Sequence, residues 1–208
     1  MTADEFVKEL GSIWPTREEL LRLGLSPSEA ERAAVWVQAR RIRSVEMSDP
    51  LLDLCANFEF VEGEFGIVVH FCKLRPYNED CMLVGFDEGD PLIISKRGGE
   101  VLLVVPLGRK RKYVGCALDG AAFLKALLVA ARFIVDCMLG RRTRKNRVDW
   151  ETVLSECWEL AGGRKYRRYW AWALGIEGSF GVIWDLLWRP ISMGRIWSVL
   201  NKMLGGGH

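Results

Sequence analysis

An α+β fold is predicted by three features of the 208-residue sequence: capped helical stretches at the start, four short apolar runs between turn residues in the middle, and a long Ala/Leu-rich segment after them. The expected architecture is N-terminal helices, a central mostly antiparallel sheet, a long packed helix and a Trp-rich helical C-terminal extension. Residues 1–140 are expected to form the α+β domain and residues 141–208 a helical extension packed on it.

Residues Asp4 to Arg43 read as two helices. Thr2 is a cap candidate for the first, which breaks near Gly11 and Pro15. The second starts at Ser26-Pro27, with Ser26 as N-cap, Pro27 at the first helical position and Glu29 adding acid to the first turn. It is expected to run to Arg43 with Ala30, Ala33, Ala34, Val37 and Ile42 near one face. Its arginines would then complement the C-terminal end of the helix dipole.

Four strands are expected, at Phe65 to Phe71, Cys81 to Phe86, Pro91 to Ser95 and Glu100 to Pro106. Their connections are too short for parallel crossovers, so neighbours must be antiparallel. The runs are continuously apolar, which implies a sheet covered on both faces. Cys116 to Leu139 reads as a helix in which Lys125, Arg132 and Asp136 form one narrow polar stripe. Inserting those three charges into a bilayer would cost about 2.5 to 3.5 kcal/mol each, so no transmembrane segment is expected. Seven of the nine tryptophans lie between Trp150 and Trp197, in short helices broken at Gly162-Gly163 and around Gly175 to Gly181, and are expected to pack on the long helix.

Composition narrows the compartment. With 50% hydrophobic and 27% charged residues the chain is a folding sequence rather than a disordered one. Six cysteines without a C-x-x-C pair, and no leader pattern, imply free thiols in a reducing, cytoplasmic setting. Charge is segregated: Ser44 to Ser95 holds eleven acids against Lys73 and Arg75, a local −9 that leaves +11 elsewhere in a total of +2. Such a segment is either the solvated edge of a sheet or a face that steers a basic partner.

The stretch "FDEGDPLIISKRGGEVLLVV", residues 86–105, admits a cation loop, a phosphate cradle or a hairpin. Asp87, Glu88 and Asp90 are clustered rather than alternating, which does not suit an EF-hand type loop. Gly98-Gly99 precede a strand rather than a helix N-terminus, which does not suit a phosphate loop but does suit a tight hairpin. Only two histidines are present. His70 and Cys72 share a strand face, the minimum for a thiol–imidazole pair, but no third orienting group accompanies them. With no nucleophile elbow, P-loop or dinucleotide fingerprint, neither catalysis, a cofactor nor a metal is expected. Two basic clusters, 141–147 and 164–168, the second beside Tyr169, Trp170 and Trp172, keep open a nucleic-acid-binding module.

"CMLVGFDEGDPLIISKRGGEVLLVV" followed by "YVGCALDGAAFLKALL" resembles the central signature of the SUKH superfamily, with "DWETVLSECWE" similar to a later helix, over about residues 45 to 160. In the resemblance Gly89-Asp90-Pro91 is the turn, Gly99 the hairpin, Tyr113 to Cys116 the lead-in and Phe123-Leu124 the helix pair. It implies a SUKH-like α+β domain over residues 1–140, without catalytic residues. It also implies an immunity protein that binds and neutralises a partner toxin of nuclease or deaminase type, or else a regulatory or scaffold interaction domain. On the immunity reading Asp87, Glu88 and Asp90, with Glu62 and Glu64, contribute the docking face.

Overall fold

The computed structural model describes residues 1–35, 37–60, 69–108, 110–142 and 146–176. Its class is α+β, as the sequence predicts. Helices α1 (Ala3–Ile13), α2 (Arg17–Arg22) and α3 (Pro27–Ala34) each begin with a reciprocal capping box, formed by Thr2 with Glu5, Thr16 with Glu19 and Ser26 with Glu29. Ser26 and Pro27 take their predicted cap and first-turn positions. The expected second helix is corrected in extent, because it stops at Ala34 and the chain re-enters as β1 (Ala39–Arg41).

β1 pairs antiparallel with β2 (Phe58–Phe60), and this pairing competes successfully with the helix. The arginines expected at a helix end are instead cross-strand partners. Arg40 pairs with Glu59 at 2.9 Å. Arg41 forks onto Asp4 at 2.6 Å and Asp53 at 2.8 Å while its guanidinium lies 4.5 Å from the Phe58 ring centroid.

Helix α4 (Pro50–Asn57) is absent from the sequence reading although Asp49-Pro50 repeats the cap-then-proline signal of Ser26-Pro27. Asp49 accepts from Leu51 and Leu52 N–H at 2.8 and 3.2 Å, and with its other oxygen from Gly120 N–H at 3.0 Å. One carboxylate therefore caps α4 and touches the start of a second helix. A Cβ at Gly120 would overlap that carboxylate and Leu51, which explains the glycine.

Five strands, β3 (His70–Pro76), β4 (Cys81–Asp87), β5 (Asp90–Ser95), β6 (Val101–Leu107) and β7 (Lys110–Ala117), form an antiparallel meander in chain order. Of the first expected strand, residues 65–68 lie outside the described residues, and β3 continues past it to Pro76. β7 corrects the sequence reading at Cys116 and Ala117. They belong to this last strand, and the long helix α5 (Gly120–Met138) starts only after the Asp119 cap, which accepts from Ala122 N–H at 2.7 Å. β-branched Val114 and a register shared with β6 favour extension there over early helix.

Alternation divides the sheet residues between two clusters. Leu92, Ile94 and Leu103 join the main core with Phe6, Leu54 and Phe123. Ile93, Val104, Leu83 and Cys81 form a second buried cluster on the opposite face, so both faces are buried as expected. Arg111 on β7 donates to the Tyr77 hydroxyl at 2.9 Å, in the turn just past β3.

Helix α5 buries residues along most of its circumference and leaves Lys125 and Arg132 exposed, the predicted stripe. α6 (Arg147–Leu160) and α7 (Arg167–Ala173) pack into the same core. Trp150 meets Phe133 edge-on at 5.0 Å, and the buried Trp170 lies 5.8 Å from Phe123 and donates to the Cys116 carbonyl at 3.0 Å. Trp184, Trp188 and Trp197 lie outside the described residues.

Candidate functional site

The acidic stretch singled out by sequence is the hairpin turn joining β4 to β5. Asp87 and Asp90 are its last paired residues, and Glu88 and Gly89 at the tip have φ of 52° and 91°. Two consecutive positive φ values mark a type I′ turn, whose twist suits a two-residue hairpin. Gly89 adopts this conformation freely, whereas Glu88 is the one non-glycine with positive φ among the described residues, at a cost of about 1 kcal/mol.

Sequence alternation would put Leu83, Gly85 and Asp87 on one face. The register instead slips between Leu83 and Gly85: Leu83 pairs with Ile93, but Gly85 pairs with Leu92. After this bulge Phe86 joins the second cluster with Leu83 and Asp87 turns to the helical face. Glycine is required at the bulge, because a Cβ at residue 85 would overlap the His70 carbonyl.

Asp87 is consequently only 7% exposed, which corrects the reading of it as a surface acid. Burial pushes its carboxyl up to about 7, the Glu88 charge adds to the rise, the Tyr169 hydroxyl works against it and Asp90 adds a smaller push. Glu88 reaches solvent at the tip, yet partial desolvation and then Asp90 hold it up to about 7 as well. Asp90, half-buried, is raised by burial. Tyr169 of α7 stands over Asp87 fully buried. Its hydroxyl faces the carboxyl but lies outside hydrogen-bond geometry and has no partner, and burial followed by the Asp87 charge drives its pKa well above the ordinary value. The Cys116 thiol of β7 completes the surroundings and is pushed far up by burial, then by Asp87.

Glu62 and Glu64, the other expected docking acids, lie outside the described residues. The basic half of the opening stretch is the β5–β6 turn: Gly99 has φ 69° and donates to the Ser95 carbonyl at 2.9 Å, Lys96 donates to the Glu79 carbonyl and Arg97 pairs with Asp80. The hairpin reading thus holds over both turns. In β3, burial raises the Cys72 thiol despite nearby Arg75, so it rests as a thiol rather than a thiolate.

Basic cluster 141–147 folds onto the protein's own acids in its described part: Arg141 pairs with Glu19 and Asp136, Arg142 with Asp136 and Arg147 with Glu151. In cluster 164–168, Lys165 and the Tyr166 hydroxyl both bind Glu100, at 3.2 and 2.9 Å. The aromatics Tyr166, Tyr169 and Trp170 point inward and are fully buried. Among the described residues no cluster of three His, Cys, Asp or Glu is placed to hold a metal ion, and no helix is long and apolar enough to cross a membrane.

The sequence reading places Tyr169 beside a basic cluster and not at the acidic turn, since nothing local in "YRRYWAW" ties it there. Comparison with protein-family models, curated proteins and solved structures finds no match to this chain.

Proposed function

We propose that this chain is a non-enzymatic, cytoplasmic protein-binding domain that docks a basic partner on the β4–β5 turn. The observation that carries the reading is the turn itself. Glu88 is presented at the tip of a hairpin anchored under α7, with Asp90 beside it, in a segment of charge −9. Neither acid makes an ion pair with a described residue, so both remain available for intermolecular pairing. The resemblance to the SUKH superfamily supports immunity as the role, with a toxin of nuclease or deaminase type as the partner whose basic cleft the acidic turn covers. The basic clusters support nucleic-acid binding less well, because most of their described cations are committed internally and their aromatics are buried.

Affinity capture of the tagged chain, with and without nuclease, provides the test. The expected result is a stoichiometric protein partner that survives nuclease and is toxic when this chain is absent. Glu88→Lys combined with Asp90→Lys should then weaken that complex at least about tenfold and slow association. Recovery of nuclease-sensitive nucleic acid, or an unchanged affinity in the double variant, counts against the reading.

A further inference from the structure

The β6–β7 hairpin runs further than the sheet that carries it. Ladder pairing between β5 and β6 stops at Leu92 with Leu103, whereas β6 and β7 stay paired through Val104 with Tyr113, Val105 with Lys112, Pro106 with Arg111 and Leu107 with Lys110. These last rungs form a two-stranded ribbon. Pro106, Leu107 and every residue from Lys110 to Tyr113 are exposed, so neither face of its outer part is covered. Between Glu100 and Asp119 the sequence holds four cations, Arg109 to Lys112, and no acid; Arg109 itself lies outside the described residues. Lys110 and Lys112 make no ion pair with a described residue, in contrast to the cations at Arg141, Arg142 and Lys165. Arg111 donates to the Tyr77 hydroxyl at 2.9 Å and its guanidinium lies 5.8 Å from that ring's centroid, a neutral brace that leaves its charge uncompensated.

We propose that this ribbon binds double-stranded DNA, lying along the major groove with Lys110 and Lys112 on the phosphates of one wall and Arg111 turned toward the other. Strand alternation sets Lys110 and Lys112 about 6.8 Å apart on one face, close to the spacing of successive phosphates along a strand, and puts Arg111 and the exposed Tyr113 on the opposite face. A planar lipid surface meets one face of a ribbon only, which leaves the cation of the other face unused. The B-form major groove admits a two-stranded ribbon, whereas the A-form groove of duplex RNA is too narrow. The acidic β4–β5 turn lies at the same end of the sheet, because β4 and β6 run in the same direction, and it opposes the polyanion. Binding is therefore of the micromolar, sequence-independent kind. It is independent of the docking of a basic protein on that turn.

The test uses the full chain and the fluorescence anisotropy of a labelled DNA duplex two helical turns long. The expected result is micromolar binding in about 50 mM salt that weakens about fortyfold in about 200 mM, as neutralisation of three phosphates requires. Lys110→Gln with Lys112→Gln, both exposed and so compatible with the fold, should weaken binding in low salt and reduce that salt response to about fourfold. The matched change Arg164→Gln with Arg168→Gln should alter neither. Methylation of guanine N7, which faces the major groove, should weaken binding of the parent chain. The proposal is overturned by no binding in low salt, by an equal loss in the two paired variants, by indifference to N7 methylation, or by phosphatidylserine vesicles held as tightly as the duplex. Glu88→Lys with Asp90→Lys should tighten DNA binding while weakening a protein complex, so the DNA and docking readings fail separately.

Discussion

Asp53 in α4 and Asp87 in β4 are both carboxyls drawn away from solvent, and the fold treats them in opposite ways. Burial would push Asp53 up, but the Arg41 fork, the Asn57 amide and the Arg41 charge together hold it below its ordinary value. Asp87 is buried more deeply among acids, a thiol and a phenol, and rises to about 7. The first carboxyl is part of the scaffold, binding α1, α4 and β1 through one guanidinium. The second makes no ion pair with a described residue and is held among groups that favour its neutral form. Burial alone does not distinguish a site from a brace; the supply of counter-groups does.

The largest expected effect comes from giving Asp87 the neutrality its surroundings favour. The folded state holds a proton there that the unfolded chain, with an ordinary value of 3.8, releases. Stability is therefore fully present below about pH 4 and is lost as pH rises toward 7. Asp87→Asn should stabilise the protein at pH 8 by on the order of 3 kcal/mol, with the gain shrinking toward pH 4, as read by urea unfolding. A loss of stability at pH 8 would show that the buried carboxylate is already compensated.

Next comes the opposite change at the paired site. Arg41→Ala strands Asp53 and Asp4 and should cost about 2 kcal/mol near neutral pH. Because the Asp53 pKa is depressed, this contribution fades as pH falls through the acidic range, so the variant and the parent should converge there. A pH-independent difference would point to lost packing on Phe58 instead.

Gly85→Ala tests what aims Asp87 inward. Overlap with the His70 carbonyl should cost about 1–3 kcal/mol. In any folded remainder the Asp87 carboxyl signal should move toward an ordinary titration as the bulge is forced out. The smallest effect belongs to Tyr169→Phe. Removing an unpartnered buried hydroxyl should change stability by less than about 1 kcal/mol, in the stabilising direction, and a clear loss would reveal a hydrogen bond that the geometry lacks.

What was legible in the sequence was local. Ser26-Pro27 marks a helix start and Gly99 a hairpin because caps and turns depend on a few adjacent residues. Short connections likewise force the antiparallel meander. Asp49-Pro50 carries the same cap-then-proline signal as Ser26-Pro27, set in a segment whose most prominent local feature is its acidic charge. β1 and β7 depend on partners elsewhere in the chain, and isolated propensity could not set their limits. At the site, composition located the acidic turn. Its inner half rests on a bulge created where Gly85 meets the His70 carbonyl, and on a tyrosine contributed by a distant helix, and neither contact leaves a mark in the neighbouring residues.

The clasp that Asp49 makes on two helix starts has a consequence for how the protein breathes. Its oxygens hold amides at Leu51, Leu52 and Gly120, so α4 cannot fray at its first turn without also baring the first amide of α5. The Leu51, Leu52 and Gly120 amides should accordingly share one opening free energy in native-state hydrogen exchange, although 71 positions of sequence separate Asp49 from Gly120. A single carboxylate thus merges two helix termini into one cooperative unit.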